Sequence, residues 1–316
     1  MRKESGMYLN FRSLSLTVVA ASVVAAGCSA NGVSPATAPG PAVTKSVKAQ
    51  TLPAFDIYVA SNGSNVVDEY TSAGSLVRSF EPPPSQGFSG PNGDAYDSKN
   101  KRLYVNDGSD SPISEFTTNG KYKGNFADPG NGSGGATYGI AYDANDDVLF
   151  LQTGDGIYEL TKSGKVLASN TTYGPTAVAY DSRDKLVLAV IKPGSSDELG
   201  FYDTNLKYLG AVPMDDNSNY SSLLWNTEND LLYDGAGKSM YAYQVDAKTM
   251  TLTQVTLSGS FGGLHWVSYV VNDKAGDVIV SDGLGGDVVA FDDEGNYLST
   301  IASGINSPWG IAIVSK

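Results

Sequence analysis

One cysteine and one histidine in 316 residues leave little room for thiol or imidazole chemistry. Disulfide scaffolds, Cys/His zinc sites and Cys–His nucleophile pairs all need more of these residues than Cys28 and His265 supply. Charge of one sign is also scarce: 21 Lys and Arg stand against 34 Asp and Glu, for a net charge of −13, and no basic run exists. Such a surface repels nucleic acid and anionic headgroups, so neither is expected as a partner. Long apolar runs are missing as well, apart from Leu14–Ala26, which is short for a bilayer span.

That run, preceded by Arg2, Lys3 and Arg12, has the form of a signal peptide. It ends at Ala25-Ala26-Gly27-Cys28, which resembles the bacterial lipobox, in which the cysteine is lipidated and becomes the first mature residue. Residues 1–27 therefore read as a lipoprotein leader, and the remainder carries a charge of −15 once Arg2, Lys3, Arg12 and Glu4 are removed. Ser29, rather than Asp, follows Cys28. The expected location is the bacterial cell envelope, on the outer membrane if the organism has one, held by the lipid alone. Residues 28–54 are dominated by Ala, Pro, Ser, Gly, Thr and Val and read as a flexible tether.

From Phe55 onward one strand-rich unit recurs six times. Its first element is NGDAYD (Asn92–Asp97), YGIAYD (Tyr138–Asp143), TAVAYD (Thr176–Asp181), SLLWN (Ser222–Asn226), YVVND (Tyr269–Asp273) and GIAIV (Gly310–Val314). The closing residues of these elements, Asp97, Asp143, Asp181, Asn226, Asp273 and Val314, stand 46, 38, 45, 47 and 41 residues apart, a propeller-blade period. Second elements such as RLYVND and DVIVSD are short β-branched and aromatic runs, and two further strand-like runs complete each copy. The expected fold is all-β, with six four-stranded antiparallel blades over residues 55–316. Phe55–Ser61 is already a second element, so the C-terminal Ser307–Val314 is expected to pair with it and close the ring.

The pattern P-x-G-I-A-x-D, then I-Y-V-x-D, then a strand ending in an aromatic and a D/G turn resembles NHL repeats and the senescence-marker/gluconolactonase-like six-bladed propellers. The gluconolactonase-like resemblance implies a divalent cation held by carboxylates and amides on the central strands, where it would polarise a lactone carbonyl. Asn92 matches one such amide, but the equivalent positions Tyr138, Thr176, Ser221 and Trp309 include no carboxylate. Virginiamycin-type lyases also resemble this chain, yet their histidines have only His265 as a counterpart. Asp143, Asn145 and Asp147 form D-x-N-x-D, but Val148 and Gly154 replace the glycine and twelfth-position acid of a calcium loop. Asp97, Asp143 and Asp181 recur at one turn position, which points to turn capping.

In this topology the longer Gly-, Asn- and Pro-rich loops gather on one face, expected to share it with the axial pocket. Asn92, Tyr138, Thr176, Ser221, His265, Trp266 and Trp309 are expected around its mouth. Aromatic faces beside neutral hydrogen-bonding groups suit a protein loop or a neutral polar ligand such as a glycan. The sequence is therefore read as a monomeric, non-catalytic binding module with no cofactor and no metal. A metal-dependent lactonase-like hydrolase and a structural envelope component are the alternatives.

Overall fold

A computed structural model describes residues 52–108, 112–127, 139–214 and 221–316. The leader, Cys28, most of the tether and Tyr138 lie outside the described residues, as does the side chain of Ser221. Among the described residues no helix is long and apolar enough to cross a membrane.

The described chain is a six-bladed β-propeller, each blade a four-stranded antiparallel sheet. Blade 1 contains β1 (Phe55–Ser61), β2 (Val66–Thr71) and β3 (Leu76–Phe80). Blade 2 runs β4 (Pro91–Asp97), β5 (Arg102–Asp107), β6 (Ile113–Thr117) and β7 (Tyr122–Ala127). Blade 3 runs β8 (Gly139–Asp143), β9 (Val148–Thr153), β10 (Gly156–Thr161) and β11 (Val166–Asn170). Blade 4 runs β12 (Pro175–Asp181), β13 (Leu186–Ile191), β14 (Glu198–Tyr202) and β15 (Tyr208–Pro213). Blade 5 runs β16 (Ser221–Asn226), β17 (Leu231–Ala236), β18 (Ser239–Asp246) and β19 (Thr251–Gln254). Blade 6 runs β20 (Val267–Asn272), β21 (Val278–Asp282), β22 (Asp287–Phe291) and β23 (Tyr297–Ala302).

The last strand, β24 (Pro308–Ser315), crosses back to blade 1 and forms its innermost strand, in the order β24-β1-β2-β3. Phe55 pairs with Ser315, Ile57 with Ile313 and Val59 with Ile311 in antiparallel register, with an irregularity between Val59 and Ser61. The ring is thus closed by hydrogen bonds between the two ends of the repeat array, which covers two otherwise open edges.

Second strands are the most deeply buried because both of their faces meet a neighbouring blade; β9 and β13 are buried at every position. Six apolar clusters fill the six seams. Blades 1 and 2 share one built around Tyr58, Leu103 and Phe116, and blades 4 and 5 share one built around Leu188, Phe201 and Trp225. Each fully buried Leu, Val or Phe contributes about 1.5–3 kcal/mol, so a cysteine-free propeller needs no covalent staple.

The recurring acids cap turns. Asp97 Oδ1 accepts the Lys99 and Asn100 amides at 2.9 and 2.8 Å, and Asp181 Oδ1 accepts those of Arg183 and Asp184 at 2.9 and 3.1 Å. Asp143 Oδ1 accepts the Asn145 amide at 2.9 Å. Asp147 accepts hydrogen bonds from Asn100 Nδ2 and the Tyr142 hydroxyl. The D-x-N-x-D segment therefore spends its carboxylates on its own turn and on the adjoining blade.

Crowding at the axis is tightest two residues before Ala95, Ala141, Ala179 and Ala312. There the six strands carry Gly93, Gly139, Ala177, Ser222, Tyr269 and Gly310. A Cβ on Gly310 would lie 2.7 Å from the Asp94 nitrogen and 2.8 Å from the Asn92 carbonyl oxygen. Ala95 belongs to the apolar cluster of Tyr104 and Ile140, and Ala312 to that of Tyr58.

Candidate functional site

The loop-bearing face places Thr176, Trp266 and Trp309 together around a narrow axial recess of about 30 Å³, with Ser222, Ser268 and Tyr269 completing its wall. That is room for about one water. Trp266 and Trp309 are half-buried. The indole Nε1 of Trp309 donates to Ser307 Oγ at 3.0 Å, and its carbonyl accepts from Ser281 Oγ at 2.5 Å. The hydroxyl oxygens of Thr176 and Ser268 are buried without a hydrogen-bond partner.

Second-strand acids hold the loops that lead into the inner strands. Asp107 Oδ2 accepts the Ser89 amide at 2.8 Å ahead of β4. Ahead of β20, Asp282 accepts the amides of His265, Trp266 and Gly285 at 2.8, 2.8 and 2.9 Å. Burial opposes ionisation of Asp282, but those amides and the His265 ring hold its carboxyl below the ordinary value. His265 Nδ1 lies 2.9 Å from Asp282 Oδ2, and its side chain is 64% exposed outside the recess. The ring is positioned by the same carboxylate that braces Trp266.

Asn92 does not face the recess. It is 5% exposed, and its Oδ1 accepts the Asn62 side-chain amide at 2.6 Å. Its nitrogen packs so closely on Gly108 that a Cβ there would lie 2.0 Å away. The amide that resembles a lactonase ligand is thus spent on the blade 1–blade 2 junction. Among the described residues no group of three His, Cys, Asp or Glu side chains could hold a metal ion. Among the described residues the carboxylates do not gather into the cation site that the gluconolactonase-like resemblance implies.

The axis differs from expectation in which end is open. The roomier cavity, about 280 Å³, is lined by the later halves of the inner strands, Asp94–Tyr96, Ile140–Tyr142, Val178–Tyr180, Leu223–Trp225, Tyr269–Asn272 and Ile311–Ile313. It therefore lies toward the end of the ring opposite the long loops. The reason is Tyr269, which stands where the other five blades have Gly, Ala or Ser and reaches across the axis. Its hydroxyl donates to the Ile140 carbonyl at 3.1 Å and accepts the Ile140 amide at 3.3 Å. Tyr269 lines both spaces and divides the channel. At the far end the large residues turn sideways: Tyr180 stacks on Phe150 with centroids 5.2 Å apart, and the Tyr142 hydroxyl donates to Asp97 Oδ1 at 2.7 Å.

Asp94 is the second feature that composition and spacing alone do not flag. The equivalent residues of the other blades are Ile140, Val178, Leu223, Val270 and Ile311. Asp94 is 2% exposed, and its carboxylate meets only the Ala60 backbone amide. Burial pushes its pKa well above the usual carboxylate range, opposed only by the Ala60 amide. Burial also pushes the Tyr269 hydroxyl up to about 12, and the Asp94 charge adds to that rise. The readable signal for both is the same: a residue whose size or polarity breaks the column formed by its five equivalents.

No protein family matches the chain in sequence, and no curated protein does. Solved structures do match in shape. A chain of a nidogen/laminin complex superposes with a TM-score of 0.63 at 14% identity, covering 82% of this chain and 98% of that one. A protein of unknown function from Bacteroides caccae gives 0.62 at 15% identity, covering 83% and 100%. A functionally unknown protein from Desulfotomaculum acetoxidans gives 0.57 at 13% identity, covering 83% and 89%. This chain shares their propeller architecture. At such identities the likeness concerns the fold alone.

Proposed function

We propose that the mature protein is a lipid-anchored, extracytoplasmic binding module that uses the loop-bearing face of its propeller to hold a neutral polar ligand, either a glycan or a protein loop. The observation that carries this reading is the pair of half-buried tryptophans, Trp266 and Trp309, beside the unpartnered hydroxyls of Thr176 and Ser268. Indole faces supply apolar contact area at low entropic cost, and the hydroxyls supply neutral hydrogen bonds. A recess of about 30 Å³ cannot enclose a substrate, so contact spreads over the mouth and its loops. The nidogen/laminin structure is a precedent for this architecture inside a protein complex.

Replacing Trp309 with Ala is expected to weaken a ligand identified on a glycan array or by pull-down from envelope fractions by about 2 kcal/mol, the usual loss at an aromatic hot spot. EDTA is expected to leave that binding unchanged. A purified protein that carries one equivalent of divalent metal and opens lactones at a rate abolished by Asn92→Ala would replace this reading with a hydrolase.

Anchoring rests on Ala25-Ala26-Gly27-Cys28 after the apolar run. Cys28→Ser is expected to move the protein from the membrane fraction to the soluble extracytoplasmic fraction. Unchanged partitioning of that variant would remove the lipid anchor from the proposal.

A further inference from the structure

Six of the described turns share one pattern of backbone hydrogen bonds, in which the first residue's amide donates to the fifth carbonyl and the fourth amide donates back to the first carbonyl. Five of them join third and fourth strands at the outside of blades 1, 2, 3, 4 and 6, opening at Thr71, Thr117, Thr161, Asp203 and Asp292. The sixth opens at Asp273 and joins the inner strand β20 to β21. In every one the first side chain accepts the fifth residue's amide, at 2.7 to 3.2 Å. The fifth residue is Ser75, Lys121, Lys165, Lys207 or Asn296 in the outer turns and Asp277 in the inner one.

Where an outer turn opens on a carboxylate, its fifth residue is a cation or an N–H donor: Lys207 follows Asp203, and Asn296 Nδ2 donates to Asp292 Oδ2 at 2.9 Å. Asp277 faces Asp273 with a second carboxylate instead, and each is 3% exposed. Asp273 Oδ1 accepts the amides of Ala275 and Asp277 at 2.8 and 3.1 Å. Among the described residues nothing donates to the Asp277 carboxyl, and its Oδ2 is sealed from solvent. The acids packed around the turn add charge of the same sign. Asp292 and Asp293 come from the β22–β23 turn, and Glu228 from the β16–β17 turn, its Cβ 3.0 Å from where a Cβ on Gly276 would stand. Lys274 is exposed, and among the described residues no Lys or Arg forms an ion pair with Asp273 or Asp277. Tyr233, which donates to the Asp293 carbonyl, stays neutral because burial pushes its hydroxyl up to about 12.

We propose that the β20–β21 turn is a proton-operated switch: Asp277 takes up a proton from a mildly acidic medium, which firms the join between β20 and β21, and gives it back to a neutral medium, which loosens that join. Uptake forms an O–H bond on one Asp277 oxygen and ends the repulsion from Asp273, Asp292 and Asp293. Asp277 is the member of the pair that takes the proton, because amides favour the charged form of Asp273 and none favours that of Asp277. Burial, and then the charges of Asp273, Asp292 and Asp293, push the Asp277 carboxyl from 3.8 up to about 6. A carboxyl raised in this way binds its proton more tightly in the folded protein than in the unfolded chain. Its contribution to stability is therefore complete below the ordinary carboxylate range and is lost as the pH rises through about 6. The strands concerned carry Tyr269, which divides the channel, and Asp282, which braces Trp266.

The test is thermal melting of the purified full-length protein and of Asp277→Asn, side by side in EDTA from about pH 5 to about pH 8. Asparagine is what the β22–β23 turn carries at this position, and it cannot ionise, so the comparison cancels the titration of every other carboxylate. The variant is expected to melt about 3 °C or more above the parent at about pH 8, and that lead is expected to fall to roughly half at about pH 5. Glu81→Gln, which removes an exposed acid from the β3–β4 loop, is expected to show no lead that depends on pH. In carbon-13 spectra of the parent labelled at its aspartates, one carboxyl is expected to titrate near pH 6 and to be missing from Asp277→Asn, a reading that holds whatever the stability of the variant. An Asp277→Asn protein that melts with or below the parent at about pH 8, a lead of the same size at both ends of the range, or no aspartate carboxyl titrating above about pH 5 would overturn the proposal.

Discussion

Truncation after Gly304 is expected to unfold the propeller or drive it into aggregates. The cut removes β24, and with it the inner-strand partner of β1 along Phe55–Ser61. Ile311 and Ala312, both buried, leave the seams on either side of blade 1, and Phe55, Ile57 and Val59 lose the strand that covers them. A handful of such side chains at about 1.5–3 kcal/mol each matches the whole stability of an ordinary domain. The inner edge of β1 is left unpaired at the same time, and an edge of this kind templates association. Thermal melting and size-exclusion chromatography of the truncated chain give the answer. A truncated protein that melts with the full-length one as a monomer would show that closure contributes nothing. Deletion of residues 29–50, whose composition offers no apolar core, is the matched control and is expected to leave the melting curve in place.

The next largest effect is expected from Gly310→Leu. Gly310 belongs to β24, and its missing side chain is what lets blade 1 approach blade 2 at the axis. A Cβ there would meet the Asp94 nitrogen and the Gly93 Cα at 2.7 Å and the Asn92 carbonyl oxygen at 2.8 Å, all of them backbone. Backbone in a closed ring cannot swing aside as a long side chain can, so the strain spreads to the neighbouring seams. Overpacking of this kind costs about 3 kcal/mol, enough to lower the denaturant midpoint visibly in a urea melt. Gly194→Ala is the control: it sits in the β13–β14 loop with nothing within 4 Å of its Cβ position and is expected to fall within about 0.5 kcal/mol of the parent. Equal midpoints for the two variants would mean that the inner ring is loose enough to breathe at Gly310.

The repeat itself determined the architecture. A period of 38 to 47 residues with four short strands per copy admits one economical way to bury each sheet on both faces, and a second-strand element at Phe55 with a first-strand element at Ser307–Val314 requires the ends to meet. Turn caps such as Asp97 and Asp181 were legible for the same reason: the hydrogen bonds they make lie within three residues, so local sequence specifies them. The arrangement at the axis was decided by tertiary structure. Whether Asn92 faces the recess or the Asn62 amide depends on how blade 1 meets blade 2, and residues 30 positions apart in sequence settle it. The open end of the channel depends on one tyrosine in blade 6 reaching Ile140 in blade 3, 129 residues away. Equivalent positions in a repeat share a backbone environment but share the axis with five other strands, so the side chain that fills it is chosen by the closed ring and not by any single blade.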